Sequence, residues 1–284
     1  MTFRCFQIIS QQSHNVIVSF LITGLLYAGN GAACAQSLVG GPASSGMGHA
    51  STALRGDFWS PGNPAVSGSV SGRAIGLFAS QAFGLDELQH SSIRYVEPLS
   101  PGNFGLEIQS FGFQDFRDTR AAFDFARALG FGSTRKLIAG VRVQYRHISI
   151  TGYNSTSAIG ISLGALTSLL PSLSLGFAAS NVNQPKVAGS NLDRNLSVGL
   201  LYEASERMRF AGDVLKEIRF PVSFRAGIEV KPADVLIVRS GITTNPTRFT
   251  SGIAVRVTNI EASFTTERHE NLGWSPAAGL SILW

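Results

Sequence analysis

The sequence predicts an all-β chain: a transmembrane antiparallel β-barrel of about fourteen strands with an N-terminal segment folded into its lumen. Three observations lead there. From Gly72 to the last residue the chain breaks into segments of about ten residues, apolar and polar side chains alternating, with Gly, Pro, Asn, Asp and Ser between them. Hydrophobic residues make up 44% and charged residues only 14%, where about 25% charged is usual for a soluble domain. The chain also closes on an alternating segment with an aromatic final residue, Ala278-Gly-Leu280-Ser-Ile282-Leu-Trp284.

The N-terminus reads differently. Residues 1–35 hold one early positive charge, Arg4, an apolar stretch from Val16 to Tyr27 and a small-residue ending, Ala33-Cys34-Ala35. That order marks a secretory signal peptide, and the apolar run is about a dozen residues where a spanning helix needs roughly 20. Cleavage after Ala35 is the expectation; a retained anchor and lipidation of Cys34 are the alternatives. Cys5 and Cys34 both fall in this leader, so the mature chain has no thiol for disulfides, nucleophilic catalysis or metal binding.

Residues 36–71 form the N-terminal plug segment. They are rich in Gly, Ala, Ser and Pro, with Ser45-Gly-Met-Gly-His-Ala50 followed by Asp57-Phe-Trp-Ser-Pro-Gly-Asn-Pro-Ala65. Small residues permit tight backbone turns, and Asn63-Pro64 starts one. Phe58 and Trp59 argue for packing, so Met47, Phe58, Trp59, Asn63 and Pro64 are the expected contacts with the lumen. Residues 72–284 form the barrel. Strands are expected near 72–83, 89–98, 103–113, 119–129, 136–149, 154–166, 172–181, 194–204, 206–216, 222–231, 234–243, 248–257, 259–268 and 275–284. The clearest alternation sets Leu137, Ala139, Val141, Val143 and Tyr145 against Ile138, Gly140, Arg142, Gln144 and Arg146. Successive side chains of a strand point to opposite faces, so such a segment divides two environments. An even strand number closes a barrel with no backbone edge left unpaired in lipid.

If the apolar faces meet lipid, then Arg142, Arg146, Arg209, Arg225, Glu229, Arg256 and Glu261 point into the lumen, because a charge on the lipid face costs about 2–4 kcal/mol at the midplane. They could form a cationic pore or binding surface, or an internal network of ion pairs that holds the plug. Arg suits either role, its planar fork matching carboxylates bidentately.

Chemistry is not expected. The histidines His49, His90, His147 and His269 show neither HExxH nor HxH spacing, and the glycine-rich stretches lack the Lys of a phosphate loop. His147-Ile-Ser149 places an imidazole and a hydroxyl on one strand face, a pairing common in ordinary strands. The net charge of +5 comes from scattered arginines with no basic run, which excludes a nucleic-acid-binding surface. No enzyme, metal or cofactor is expected.

Gly46-Met47-Gly48 followed by Ala50 and Ala53, then Asp57 and a Trp-to-Asn-Pro-Ala ending at Ala65, resembles the opening of the PorV/PorQ family. The resemblance runs on through Phe123-Asp-Phe-Ala-Arg127, Gly140-Val-Arg-Val-Gln-Tyr145, Ile159-Gly-Ile-Ser-Leu-Gly164, Leu173-Ser-Leu-Gly176 and Asn181. Gly62 lengthens the usual aromatic-to-Asn interval. The resemblance implies a fourteen-stranded FadL-like barrel in the outer membrane that handles secreted proteins in type IX secretion. A FadL-like transporter of hydrophobic or small solutes is the alternative. Implied partners are outer-membrane lipid, the barrel assembly machinery, for which Trp284 would be the signal, and secreted cargo or type IX components.

Overall fold

A computed structural model describes residues 40–59, 62–131, 135–187 and 189–284. The leader expected over residues 1–35, its two cysteines and the start of segment 36–71 lie outside them.

Among the described residues fourteen strands close into an antiparallel barrel. In chain order these are β1 (Ala74–Gln81), β2 (Gln89–Leu99), β3 (Gly102–Gly112), β4 (Phe116–Phe131), β5 (Arg135–Ile150), β6 (Thr156–Leu170) and β7 (Leu173–Ala179). After a two-residue pair, β8 (Lys186–Val187) with β9 (Ser190–Asn191), come β10 (Asn195–Ser205), β11 (Met208–Glu217), β12 (Ser223–Ala233), β13 (Leu236–Thr243), β14 (Arg248–Val257), β15 (Ile260–His269) and β16 (Gly273–Leu283). Each barrel strand pairs with its sequence neighbour, β7 pairing directly with β10, and β1 meets β16 with Ala74 opposite Leu283. The seam continues one residue further, where Arg73 and Trp284 exchange backbone hydrogen bonds of 2.8 and 2.9 Å.

Each expected segment carries one strand, and the departures have local causes. Alternation continues past the expected limits in β4, β5 and β6, so these are the longest strands. The segment expected over 172–181 stops at Ala179 because Asn181 turns the chain with a positive φ of 52°. The β8–β9 hairpin was not expected, being too short to show a period.

The two ends of the barrel differ. At one end lie both seam termini and tight turns such as Leu99 to Gly102, Ser205 to Met208 and Val257 to Ile260. At the other the connections are longer, the longest running over 180–194.

Every barrel strand exposes a large apolar side chain, from Leu77 on β1 and Ile93 on β2 to Phe264 on β15 and Leu280 on β16. Inward positions hold the polar residues and the core. One cluster joins Met47, Leu54, Ala65 and Val66 to Leu166 and Leu201; another joins Phe58 and Trp59 to Val70, Phe78, Val96 and Ala277. In both, the N-terminal segment supplies what an inward-polar wall lacks.

An arginine at the centre of an outward face tests this orientation. Leu200→Arg, midway along β10, should lower unfolding stability in lipid vesicles by about 2–4 kcal/mol, read by denaturant titration, whereas the same change in the connection at Tyr153 should be neutral.

Candidate functional site

The site is built where residues 40–59 and 62–70 lie against the inner wall. Helix α1 (Pro42–Gly46) begins with proline at its first position, where the missing N–H costs nothing. Gly48 and His49 follow with φ of 64° and 60° and reverse the chain. A 3₁₀ helix over Pro64–Ser69 is capped by Asn63, whose side chain accepts from Ala65 N at 2.9 Å.

This backbone seats on glycine. Gly227 and Gly241 stand opposite each other on β12 and β13, Gly140 and Gly164 on β5 and β6, Gly176 and Gly199 on β7 and β10. A methyl group on either member of the first pair would overlap Met47, with Gly48 also in the way on β13. On the second pair it would overlap Asn63 to Ala65, and on the third Thr52. Gly76 and Gly279 similarly admit Trp59, at 2.7 Å from such a methyl, and Pro42, at 2.5 Å. A glycine inside a strand sacrifices side-chain packing and marks a close approach of another chain; here the guest is the protein's own N-terminal segment.

Wall side chains then satisfy the segment's polar backbone. One oxygen of Asp213 accepts from Ser51 N at 2.8 Å, Thr52 N at 2.9 Å and Thr52 Oγ1 at 2.8 Å. Gly48 N donates to Thr250 Oγ1 and Thr243 Oγ1 to Gly48 O, at 2.8 and 2.6 Å. Asn103 donates to Ser67 O and Val70 O and Arg94 Nε to Phe58 O at 2.6 Å, while from the segment's side Asn63 donates to the β6 carbonyl of Ala165 at 3.0 Å. His49 Nε2 meets Glu267 at 2.5 Å, and the same carboxylate holds Arg248 at 3.0 Å.

The remaining inward charges pair with one another. Arg142 binds Asp124 at 2.5 Å and reaches Glu107 at 3.5 Å, while Arg94 binds both carboxylates. Arg146 and Arg120 share Asp118, each at 2.7 Å. Glu229 is held by Arg209 at 2.9 Å and Arg239 at 2.7 Å, and Glu261 by Arg239 and Arg256. Arg225 donates to His49 O at 3.3 Å. These inward charges thus stand in ion pairs and clamps around the segment.

Of the expected segment contacts, Met47 and Asn63 are fully buried at the glycine pairs, Pro64 lies beside Asn63 against Gly164 of β6, and the Phe58 and Trp59 rings pack tilted by 37° with centroids 5.2 Å apart, Phe78 standing edge-on to Trp59 at 6.0 Å. Arg94, Glu107, Asp118, Asp124, Asp213, Arg239 and Glu267 were missed. Parity could have found several: Arg94 lies between outward Ile93 and Tyr95, and Asp124 between Phe123 and Phe125. Their partners on other strands could not be read locally. His147 bonds Ser157 at 2.8 Å and not Ser149. Among the described residues no group of three His, Cys, Asp or Glu could hold a metal.

Two small cavities adjoin the segment. One, of about 50 Å³, lies at the tight-turn end among Asp57, Phe58, Trp59, Arg239, Glu261 and Leu283. The other, of about 20 Å³, lies towards the long-loop end among His49, Phe78, Thr265, Glu267 and Ala277. Each has room for about one or two waters. At the first, Asp57 Oδ1 accepts from Trp59 N at 3.2 Å while Oδ2, Trp59 Nε1 and Arg239 Nη1 have no hydrogen-bond partner among the described residues. Burial pushes the Asp57 carboxyl up to about 6, against the downward pull of the Trp59 amide and of Arg209, Arg239 and Arg94.

No protein-family model and no curated protein matches the chain. Solved structures do. A toluene transporter of Ralstonia pickettii, TbuX, superposes with a TM-score of 0.59 at 13% identity, over 86% of this chain and 97% of its own. A FadL homologue of Pseudomonas aeruginosa gives 0.60 at 11%, over 87% and 98%. A monoaromatic hydrocarbon channel, CymD, gives 0.59 at 13%, over 86% and 96%. At such identities the likeness is one of fold: this chain has the fold of FadL-like outer-membrane barrels.

The clamps yield two expected outcomes. Asp213→Ala leaves buried donors on Ser51 and Thr52 unpaired, at about 1–3 kcal/mol each, so their amide hydrogen exchange should speed up by at least tenfold while that of the β4–β5 amides is unchanged. Asp57 has a folded pKa of about 6 above its unfolded 3.8, so it stabilises the seated segment fully below pH 3.8 and loses that contribution as pH rises through 6. The loss is about 3 kcal/mol across that window. Segment exchange, corrected for the intrinsic rate, should rise over pH 4–7 in the wild type and flatten in Asp57→Asn.

Proposed function

We propose that this chain is an outer-membrane transport barrel whose N-terminal segment is a closed plug, and that small apolar solutes pass when part of that plug shifts. The observation that carries this reading is the seated segment itself. It fills the lumen of a closed barrel with its aromatic pair, Phe58 and Trp59, placed between the two cavities on the β15–β16–β1 side. The plug is fixed to the wall by individually modest hydrogen bonds and ion pairs, so a local shift requires breaking a few contacts and leaves the barrel closed. The fold shared with a toluene transporter and a monoaromatic hydrocarbon channel supports the reading. Residues 1–35 would be the export leader, 36–71 the plug, and Trp284, half exposed at the end of the closing strand, the signal for the barrel assembly machinery.

A second reading, a PorV/PorQ-type protein that handles secreted proteins in type IX secretion, is favoured by one observation. The motif residues of the resemblance, Gly46-Met47-Gly48 and Asn63-Pro64-Ala65, are the ones seated on the wall glycines.

Proteoliposomes loaded with the purified barrel and offered labelled toluene separate the two. Transport predicts protein-dependent uptake that rises several-fold in Asp213→Ala, with no steady ionic conductance across planar bilayers for the wild type. No uptake above empty vesicles, together with secreted proteins or type IX components retained by a tagged chain on gentle solubilisation, would replace the first reading with the second.

A further inference from the structure

The outer wall carries a feature that neither transport nor cargo handling uses. Short turns mark the periplasmic end of an outer-membrane barrel and longer connections the cell-surface end, so the tops of β10 and β11 lie at the outer-leaflet headgroups. There the connections 180–194 and 218–222 pack together. Ile218 N donates to Arg194 O at 3.2 Å, Arg219 Nη2 to Asn191 O at 2.5 Å, and Arg219 Nε pairs with Asp193 at 3.1 Å. Asn191 stands opposite Lys186 in the β8–β9 hairpin. Lys216 lies opposite Leu196, on the outward face with Val214, and its Nζ is held by Phe220 O at 2.7 Å.

Lys186, Arg194, Lys216 and Arg219 are thereby drawn to one side of the rim, against Asp193, which Arg219 already engages, and Glu217, which points inward and is buried. Directly below, Leu196, Val198, Val214 and Phe224 present an exposed apolar wall. Elsewhere the rim differs: the β1–β2 connection carries Asp86 and Glu87, Arg117 is offset by Asp115, and Arg268 lies over the Trp274 ring beside Glu270.

From this arrangement we propose that the β10–β11 face binds a phosphorylated glycolipid of the outer leaflet, its acyl chains along Leu196, Val198, Val214 and Phe224 and its phosphate on Lys186, Lys216 and Arg219. Charge complementarity selects this occupant. Cations capping a hydrocarbon-facing wall match a molecule with an anionic head and apolar tails, and ammonium and guanidinium donors make short, charge-assisted hydrogen bonds to phosphate oxygens. Lysine and arginine stems also lie well along an apolar wall while their heads reach the interface.

The test is native mass spectrometry of the detergent-purified full barrel titrated with diphosphoryl lipid A. The double variant Lys186→Ser/Lys216→Ser leaves the Arg219–Asp193 pair and every lumen contact intact, and heat-modifiable migration on gels checks its folding. It should bind about ten- to thirtyfold more weakly, while Arg268→Ser, on the same rim but four strands away on β15, binds as the wild type does. Dephosphorylated lipid A should bind as weakly as the double variant binds the phosphorylated form, and millimolar inorganic phosphate should not displace the lipid. Undiminished binding by a folded double variant overturns the proposal, as does an equal loss in Arg268→Ser. Equal affinity for the dephosphorylated lipid would reduce the face to a nonspecific apolar one, and displacement by inorganic phosphate would make it a free-anion site; either result also overturns it.

Discussion

The contact of one backbone with another, where wall glycines receive residues 42–59 and 62–70, is the interaction on which the rest of the structure depends. A fourteen-stranded barrel with inward-facing polar side chains has no core of its own. The segment fills that space, but its peptide groups then need partners away from bulk solvent. Glycine at Gly140, Gly164, Gly176, Gly199, Gly227 and Gly241 brings wall and segment close enough for Asp213, Thr243, Thr250 and Asn103 to meet those groups directly. Side chains at the glycine positions would hold the segment off the wall and orphan these donors and acceptors together.

The same geometry explains why the lumen charges are paired. Once the segment occupies the lumen, little water remains beside Arg94, Asp124, Arg239 or Glu229, all nearly fully buried. A lone charge there would be costly, whereas a guanidinium between two carboxylates recovers much of the lost hydration. The arginines bridge strands that are not all neighbours, as Arg94 on β2 does in reaching Asp124 on β4. They tie the wall across the strand order as well as along it. Asp57 differs, one of its carboxylate oxygens lacking a partner at the tight-turn end among the described residues, and its raised proton affinity follows from burial.

Inside and outside therefore solve different electrostatic problems. The interior neutralises charge within a closed set of partners and holds the N-terminal segment by individually modest contacts. The exterior is apolar around the whole circumference and concentrates its cations where lipid headgroups supply the counter-charge. The aromatic pair lies between the two cavities, where Arg94 holds the Phe58 carbonyl while the Trp59 indole makes no hydrogen bond among the described residues.

The sequence by itself determined the barrel. Period-two alternation of the kind seen from Leu137 to Arg146 is dictated locally, since each residue faces lipid or lumen by parity alone, and fourteen such segments imply closure because lipid tolerates no open edge. Parity likewise predicts Arg142, Arg209 and Glu229 on the inner face, and the aromatic pair Phe58 and Trp59 predicts a packed segment with Met47, Asn63 and Pro64. Only the tertiary structure decided partners. That Asp213 gathers Ser51 and Thr52, that His49 meets Glu267, and that Gly140 faces Gly164 beneath Pro64 depend on strand register and on the path of the segment. Those contacts join residues up to about 200 positions apart, as Gly48 and Thr250 are, and no local period encodes them.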